Sequence, residues 1–372
     1  MKNTLLGGLS PTRFLAEFWH KKPYLIRNAL PGFGGLLSPA DMRALARRDD
    51  VESRLIRGRD ADWQLDHGPF RAADFKRLPR TEWTLLVQSV NHFLPAAETL
   101  LKRFDFIPHA RLDDLMVSYA VPGGSVGPHF DSYDVFLLQG QGHRRWRISA
   151  QRDLDLLPDA PLKLLRDFRP EAEWVLAPGD MLYLPPNIAH HGVAEDDCMT
   201  YSIGFRAPVA EELAHAFLMH LQDTVTLDGR YADPDLRAPR HPGEIGRAML
   251  GQIESMIARV RWSRRDIAEF AGRYLSEPKP SVVFDPPEAP LPRGSFRREA
   301  RRRGVALDPR SRLLFAGTRF FINGEAFDAE PSSRAALRQL ADARALPAPL
   351  PAALPEIFYD WYEAGWLVLP AS

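Results

Sequence analysis

The stretch from Val121 to Ile148, VPGGSVGPHFDSYDVFLLQGQGHRRWRI, decides how the rest of the chain is read. His129 and Asp131 are separated by one residue, and in an extended strand residues i and i+2 share a face. An imidazole and a carboxylate can therefore reach one metal ion from one segment. An isolated His-x-Asp is a weak signal, since any strand with polar residues on one face produces it. Its surroundings strengthen it. Gly123, Gly124 and Gly127 precede the pair, and further along Ala177 to Gly192 reads APGDMLYLPPNIAHHG. There a Pro-Gly-Asp turn leads into a strand, and Pro185 and Pro186 stiffen a loop that delivers His190 or His191. Neighbours point in different directions, so only one of the two reaches the ion, with His190 preferred. Two histidines and one carboxylate with other positions left open is the ligand set of non-haem Fe(II) oxygenases.

Outward from this pair the chain is strongly β. DLMVSYA, VFLLQG, RRWRIS, EWVLAPGDMLYLPP and MTYSIGFRA, between Asp113 and Arg206, are short runs bounded by Gly, Pro or Asp, which predicts a barrel or jelly roll. Before it, PTRFLAEFWH reads as a helix, PYLIRNAL as a strand, SPADMRALARRDD as a helix capped by Ser38, and VESRLIRGRD with DWQLDHGPF as a hairpin, all covering the β-core. After Pro208 the apolar period becomes helical in three successive segments, the last opened by Ser263 and Asp266, which predicts a three-helix bundle. Beyond the prolines from Pro278 to Pro292 the tail carries a hairpin with an Asn323-Gly324 turn, a helix at SSRAALRQLADA, and a helix ending at Gly365 before a strand. These patterns divide the chain into 1–208, a β-barrel domain with N-terminal covering helices, 209–280, a helical region, and 281–372, a proline-rich linker with a winged-helix-like domain.

Composition narrows the function classes. The 372 residues suit two or three domains, and 48 basic against 48 acidic side chains give no bulk charge that would mark a nucleic-acid or membrane binder. A single cysteine, Cys198, excludes an intramolecular disulfide framework and a Cys-rich zinc site, and points to a reducing cytoplasm. The apolar run near the amino terminus is broken by Gly7, Gly8 and Pro11, so neither a signal peptide nor a membrane span is expected.

The chain resembles the JmjC-type Fe(II)- and 2-oxoglutarate-dependent oxygenases, and more closely the bacterial ribosomal oxygenases, in DDLMVSYAVPGG, GPHFDSYDVFLLQG, HRRWRIS, PGDMLYLPP and YSIGFRAP, as well as in the opening FWHKKPYLIRNALP. The resemblance covers nearly the whole chain. It implies a mainly β plus α architecture: a double-stranded β-helix (the cupin or JmjC jelly roll), then a helical dimerisation region, then a winged helix. It further implies Fe(II) held by His129, Asp131 and His190, 2-oxoglutarate as co-substrate, a homodimer, and hydroxylation of an arginine β-carbon in a large-subunit ribosomal protein. Related eukaryotic members hydroxylate histidine instead. Where the family has a PPG-x-x-His-Glu-Gly-like loop, this chain has Asn187 for the glycine and His191 for the acid.

The distal carboxylate of 2-oxoglutarate needs a cation, which arginine supplies in bidentate form. In HRRWRIS, Arg145 and Arg147 share one face while Arg144, Trp146 and Ile148 share the other, so Arg144 points inward; the bland alternative is an arginine snorkelling at the barrel mouth. The same parity in DDLMVSYA puts Asp114, Met116 and Ser118 on one polar face expected to line the cavity. Ser118 is then a partner of Arg144 at the co-substrate, with Thr200 and Ser202 as weaker ones. Asp114 would meet a cationic substrate side chain whose stem lies between Met116 and Tyr133, or would be a surface acid bonded to nearby backbone. No catalytic group is expected beyond the metal ligands.

Two other classes compete. A cupin-like regulator sensing a small ligand would bind duplex DNA without turnover, and a zinc or manganese cupin isomerase would need no 2-oxoglutarate. Neither explains an inward Arg144. Arg297, Arg298, Arg301, Arg302 and Arg303 in FRREARRRG leave direct nucleic-acid binding open, although such runs are more often solvated faces.

Overall fold

The computed structural model describes residues 5–59, 62–351 and 354–370, which form two compact units. The first comprises residues up to 207, 278–311 and from 342 onward. Its strands are β1 (Tyr24–Ile26), β2 (Ser53–Arg59), β3 (Asp62–His67), β4 (Trp83–Val87), β5 (Leu112–Ala120), β6 (Asp134–Gln141), β7 (Arg144–Ser149), β8 (Ala172–Leu176), β9 (Met181–Leu184), β10 (Ala189–Ala194) and β11 (Cys198–Phe205). Eight make an antiparallel sheet in the order β1-β9-β6-β11-β5-β4-β2-β3, and β10-β7-β8 make a second, smaller sheet. This is the expected jelly roll, and β2 and β3 pair as the expected hairpin.

Alternation along the strands builds the core on one side of the large sheet. Leu115, Val117 and Tyr119 of β5, Phe136 and Leu138 of β6, and Tyr201 and Ile203 of β11 are buried in one cluster. The opening helix α1 (Pro11–Glu17), capped by Ser10, adds Phe14, whose ring lies 5.0 Å from that of Tyr183 and 5.6 Å from that of Phe136. Helix α2 (Pro39–Leu45) starts at the Ser38 capping box and buries Met42. Two short helices, α3 (Ala72–Lys76) and α4 (Pro95–Leu101), complete the cover. The opposite face of the large sheet, with Val135, Leu137, Leu182 and Leu184, packs against Trp146, Ile148 and Leu176 of the small sheet. The space between the two sheets is where the site lies.

The start of β6 is pinned by a buried charge cluster that sequence periodicity does not reveal. Asp134 is fully buried; it accepts from Tyr183 Oη at 2.6 Å and Arg111 Nη2 at 3.1 Å, and lies 2.7 Å from His20 Nε2. That anchorage, three residues after Asp131, ties the end of the segment carrying two of the prospective metal ligands to β9 and to the turn after α1.

The same unit contains helix α8 (Arg293–Arg303), a three-stranded sheet β16-β12-β17 (β12, Val305–Leu307; β16, Ala345–Leu346; β17, Leu367–Val368) and helix α10 (Ile357–Glu363). The arginine-rich run is α8, and its charge is partly answered: Arg293 lies 3.2 Å from Asp360, Arg297 3.1 Å from Glu356, and Arg302 2.7 Å from Glu299.

The second unit, 208–277 with 312–341, holds α5 (Ala210–Thr224), α6 (Arg247–Ile257), α7 (Arg264–Ser276), strands β13 (Leu313–Ala316), β14 (Arg319–Ile322) and β15 (Glu325–Asp328), and most of α9 (Arg334–Ala343). Two expectations are corrected here. The single hairpin is a three-stranded meander, because Gly317 in the left-handed region makes a turn ahead of the Asn323-Gly324 one. The three helices do not make a bundle: α5 and α7 pack through Phe217 and Phe270, rings 5.2 Å apart, while α6 buries none of its residues. Instead α7 lies on the meander, close enough that a Cβ on Gly272 would meet the Phe321 ring at 2.4 Å. No helix among the described residues is long and apolar enough to cross a membrane.

Candidate metal centre

His129, Asp131 and His190 come together between the two sheets, with ligand atoms all within 4.8 Å of one another; they are the one group of this kind among the described residues. His129 does not sit on a regular strand. It lies on an extended segment joined to β10 by a bridge of two reciprocal bonds, His129 N to His190 O at 3.0 Å and His190 N to His129 O at 2.7 Å. The rings are thereby held 4.2 Å apart, and His190 Nε2 is 3.6 Å from Asp131 Oδ2. Each imidazole has Nδ1 at 2.9 Å from a backbone carbonyl, Gly127 O for His129 and Ile188 O for His190. A carbonyl only accepts, so each Nδ1 carries the proton and each Nε2 keeps its lone pair for a metal. Burial, with His129 next, pushes the His190 pKa down to about 4, which keeps the ring neutral. Two Nε2 lone pairs and one carboxylate on one side are a donor set that fits Fe(II).

Local sequence explains this geometry. Gly127 has φ +78, and a Cβ there would meet Leu164 at 2.3 Å, so the turn into His129 requires glycine. Asn187, where the resembled loop carries glycine, has φ +64; asparagine is among the few side chains that tolerate this region, so the departure preserves the turn. Its N–H donates to Asp131 O at 2.7 Å, tying the loop that brings His190 to the segment that brings Asp131. His191 points to the other face of β10, with its ring 6.2 Å from that of Phe168.

A cavity of about 420 Å³ opens from these residues and is also lined by Asp114, Met116, Ser118, Tyr133, Arg144, Trp146 and Ser202. Arg144 is 5% exposed and donates through Nη1 to Ser118 Oγ at 3.1 Å. Its Nε and Nη2, and Trp146 Nε1, are buried without a hydrogen-bond partner among the described residues. Three unanswered donors in one cavity are costly unless an acceptor arrives, and the chemistry they call for is a carboxylate. Arg145 and Arg147 face outward onto Glu173 and Glu195.

At the other end of the cavity Asp114 is buried and its Oδ2 accepts from Ser89 Oγ at 2.9 Å, Ser89 N at 3.1 Å and Gln88 Nε2 at 3.1 Å. It is thus both a cavity acid and an acid bonded to nearby backbone. Burial, the largest cause, raises its pKa above the usual carboxylate value, with Lys279 opposing and Asp113 adding to the rise. The pKa of the Tyr133 hydroxyl is pushed up, first by burial and then by the charge of Asp131.

Thr200 is not brought to the cavity: its hydroxyl donates to Gln139 Oε1 at 3.0 Å, and Ser202, two residues on along the same face of β11, lines the wall instead. Gln88, Ser89 and Lys279 were missed from sequence. They lie in a strand-to-helix turn and a proline-flanked segment, where no periodicity marks an inward side chain.

Comparison with known proteins gives the same picture over the full length. A JmjC domain model matches residues 99–213 and a ROXA-like winged-helix model matches 259–368. The ribosomal protein uL16 3-hydroxylase of Escherichia coli is 35% identical over 338 residues, covering 90% of this chain and 89% of that protein. A probable ribosomal oxygenase of Haemophilus influenzae is 41% identical over 232 residues, 61% of this chain and 55% of that one. Among solved structures, YcfD, a ribosomal oxygenase from Escherichia coli in complex with cobalt and 2-oxoglutarate, superposes with a TM-score of 0.83 at 33% identity, covering 97% of this chain and 98% of that one.

Proposed function

The chain belongs to the bacterial ribosomal oxygenases, JmjC-type dioxygenases that use Fe(II) and 2-oxoglutarate, and from that premise we propose that it hydroxylates the β-carbon of an arginine in a large-subunit ribosomal protein. The observation that carries the choice of arginine is Asp114, a buried acid at the cavity edge beside Met116 and Tyr133, which suits a guanidinium on an aliphatic stem. The uL16 of the Escherichia coli relative's name supplies the candidate target. An acid in this position disfavours the histidine alternative, and unanswered donors on Arg144 and Trp146 disfavour a regulator or an isomerase.

In this reading His129, Asp131 and His190 hold the iron, which, together with 2-oxoglutarate and dioxygen, supplies the oxidising power for hydroxylating an unactivated C–H bond. The carbonyls of Gly127 and Ile188 fix the imidazole tautomers. Arg144 and Ser118 take the far carboxylate of 2-oxoglutarate. Asp114 takes the substrate cation and so sets which side-chain carbon faces the metal.

Asp114→Asn is expected to raise KM for an arginine-containing uL16 fragment by about 10–100-fold, the worth of one hydrogen bond to a charged group, with a smaller change in kcat. The pH dependence has a definite sign. Protonating Asp114 removes the charge that the guanidinium meets, so in the wild type KM rises as pH falls through its raised pKa. In the Asn variant that acid limb disappears. Equal KM values in the two proteins would remove the arginine assignment.

The second unit supports a homodimer, with a cytoplasmic setting where ribosomal proteins are found. Leu218 on α5 is 61% exposed and Ile257 on α6 is 65% exposed, alongside Met219, Leu250 and Trp262. An apolar surface of this kind on helices that bury little fits a second copy. Sedimentation should give two copies for the wild type and one for Leu218→Asp combined with Ile257→Asp; a monomeric wild type would overturn this.

A further inference from the structure

The acidic end of the cavity already holds a cation from the chain itself. Lys279, in the sequence Pro278-Lys279-Pro280, reaches Asp113 Oδ1 at 3.1 Å and Asp114 Oδ2 at 3.5 Å. The flanking prolines restrict its backbone, and its carbonyl accepts from Val282 N at 2.9 Å, so the segment presents the side chain from a turn. Asp113 is also met by Arg206 Nε at 3.1 Å. Lys279 and Arg206 are thus two cations set against the carboxylates of Asp113 and Asp114. Arg54 adds a further positive charge one step away, its Nη2 donating to Gln88 Oε1 at 3.1 Å while Gln88 donates to Asp114.

A guanidinium arriving at Asp114 would set its positive charge against the Lys279 ammonium already there, in a partly enclosed space. It is accommodated only if one resident cation leaves. Lys279 is the one able to leave: its ammonium is a point charge on a flexible stem, and it stands farther from Asp114 than the Ser89 and Gln88 donors. We propose that Lys279 is a specificity-determining residue, an internal counter-cation that occupies the substrate's charge position and is exchanged for the arginine guanidinium on binding. The inference rests on the arginine reading above. A neutral side chain cannot drive the exchange, so Lys279 makes the cavity select for charge as well as shape.

The test uses the full chain with Fe(II) and 2-oxoglutarate. Lys279→Met keeps the aliphatic stem and removes the charge. It is expected to lower KM for the arginine-containing uL16 fragment several-fold, with kcat and KM for 2-oxoglutarate unchanged, and to give no gain for the same fragment with citrulline at the target position. Lys279→Arg should restore or exceed the wild-type KM. An unchanged or raised KM in Lys279→Met would overturn the proposal, as would an equal gain for citrulline. A second measurement needs no turnover: the rate at which acetic anhydride acylates Lys279, read by mass spectrometry, should rise in Asp114→Asn and, in the wild type, on adding the arginine fragment. A rate that Asp114→Asn leaves unchanged would show that Lys279 does not rest on that acid. If the wild type hydroxylates no arginine fragment, the substrate reading fails, while the labelling of Asp114→Asn still reports on the resident cation.

Discussion

Alanine at His129, Asp131 or His190 is expected to abolish oxygen-dependent succinate formation, whereas alanine at His191 is not. The three ligand atoms share one small volume between the sheets, and each histidine has its proton already committed to a carbonyl. Changes to groups that merely orient metal ligands cost about 10–100-fold in metal affinity, and losing one of only three protein ligands should exceed that. His191 tests the alternative assignment. It lies on the other face of β10 against Phe168, with its pKa lowered to about 4 chiefly by burial and then by Arg147, so it is a neutral packing residue. Anaerobic Fe(II) titration alongside succinate formation separates the two cases. Loss of metal binding in His191→Ala with retention in His190→Ala would reverse the ligand assignment.

Arg144→Met is expected to act in opposite directions on co-substrate binding and on stability. Removing a cavity-lining guanidinium whose Nε and Nη2 are buried without partners takes away the charged partner of a carboxylate, worth about 1.5–3 kcal/mol per charged hydrogen bond, or roughly 10–100-fold in the KM for 2-oxoglutarate. Without co-substrate, however, those same buried nitrogens are a liability. Replacing a buried charge by an apolar side chain of similar volume is often neutral or stabilising by about 1–4 kcal/mol. The protein lacking 2-oxoglutarate should therefore melt no lower, and up to several degrees higher, in Arg144→Met, while the same concentration of added 2-oxoglutarate should raise the wild-type Tm more than the variant's. Equal 2-oxoglutarate-induced shifts in both proteins would place the co-substrate elsewhere.

Most of this arrangement was legible because strands carry a strict two-residue alternation. That rule separated inward Arg144 from outward Arg145 and Arg147, and put Asp114, Met116 and Ser118 on one wall. Thr200, a weaker candidate beside the co-substrate, gives its hydroxyl to Gln139 instead. The helical region was read as a bundle because amphipathic spacing announces an apolar face without naming what covers it; α6 shows such spacing and buries no residue within its own chain. Gln88, Ser89 and Lys279 reach Asp114 from outside any regular element, and Asp134 draws in His20 and Arg111 over long sequence separations. Contacts of that kind are set by tertiary closure, and no local pattern in the chain encodes them.

In the proposed reaction an oxygen atom passes from dioxygen to an arginine side chain. Its most direct test is mass spectrometry of an arginine-containing uL16 fragment incubated with the protein, Fe(II), 2-oxoglutarate and isotopically labelled dioxygen. The expected result is one labelled oxygen on the β-carbon of a single arginine, matched by one succinate formed, and no labelled product with Asp131→Ala. Succinate formation with no oxygen on any arginine, or label found on a histidine instead, would contradict it.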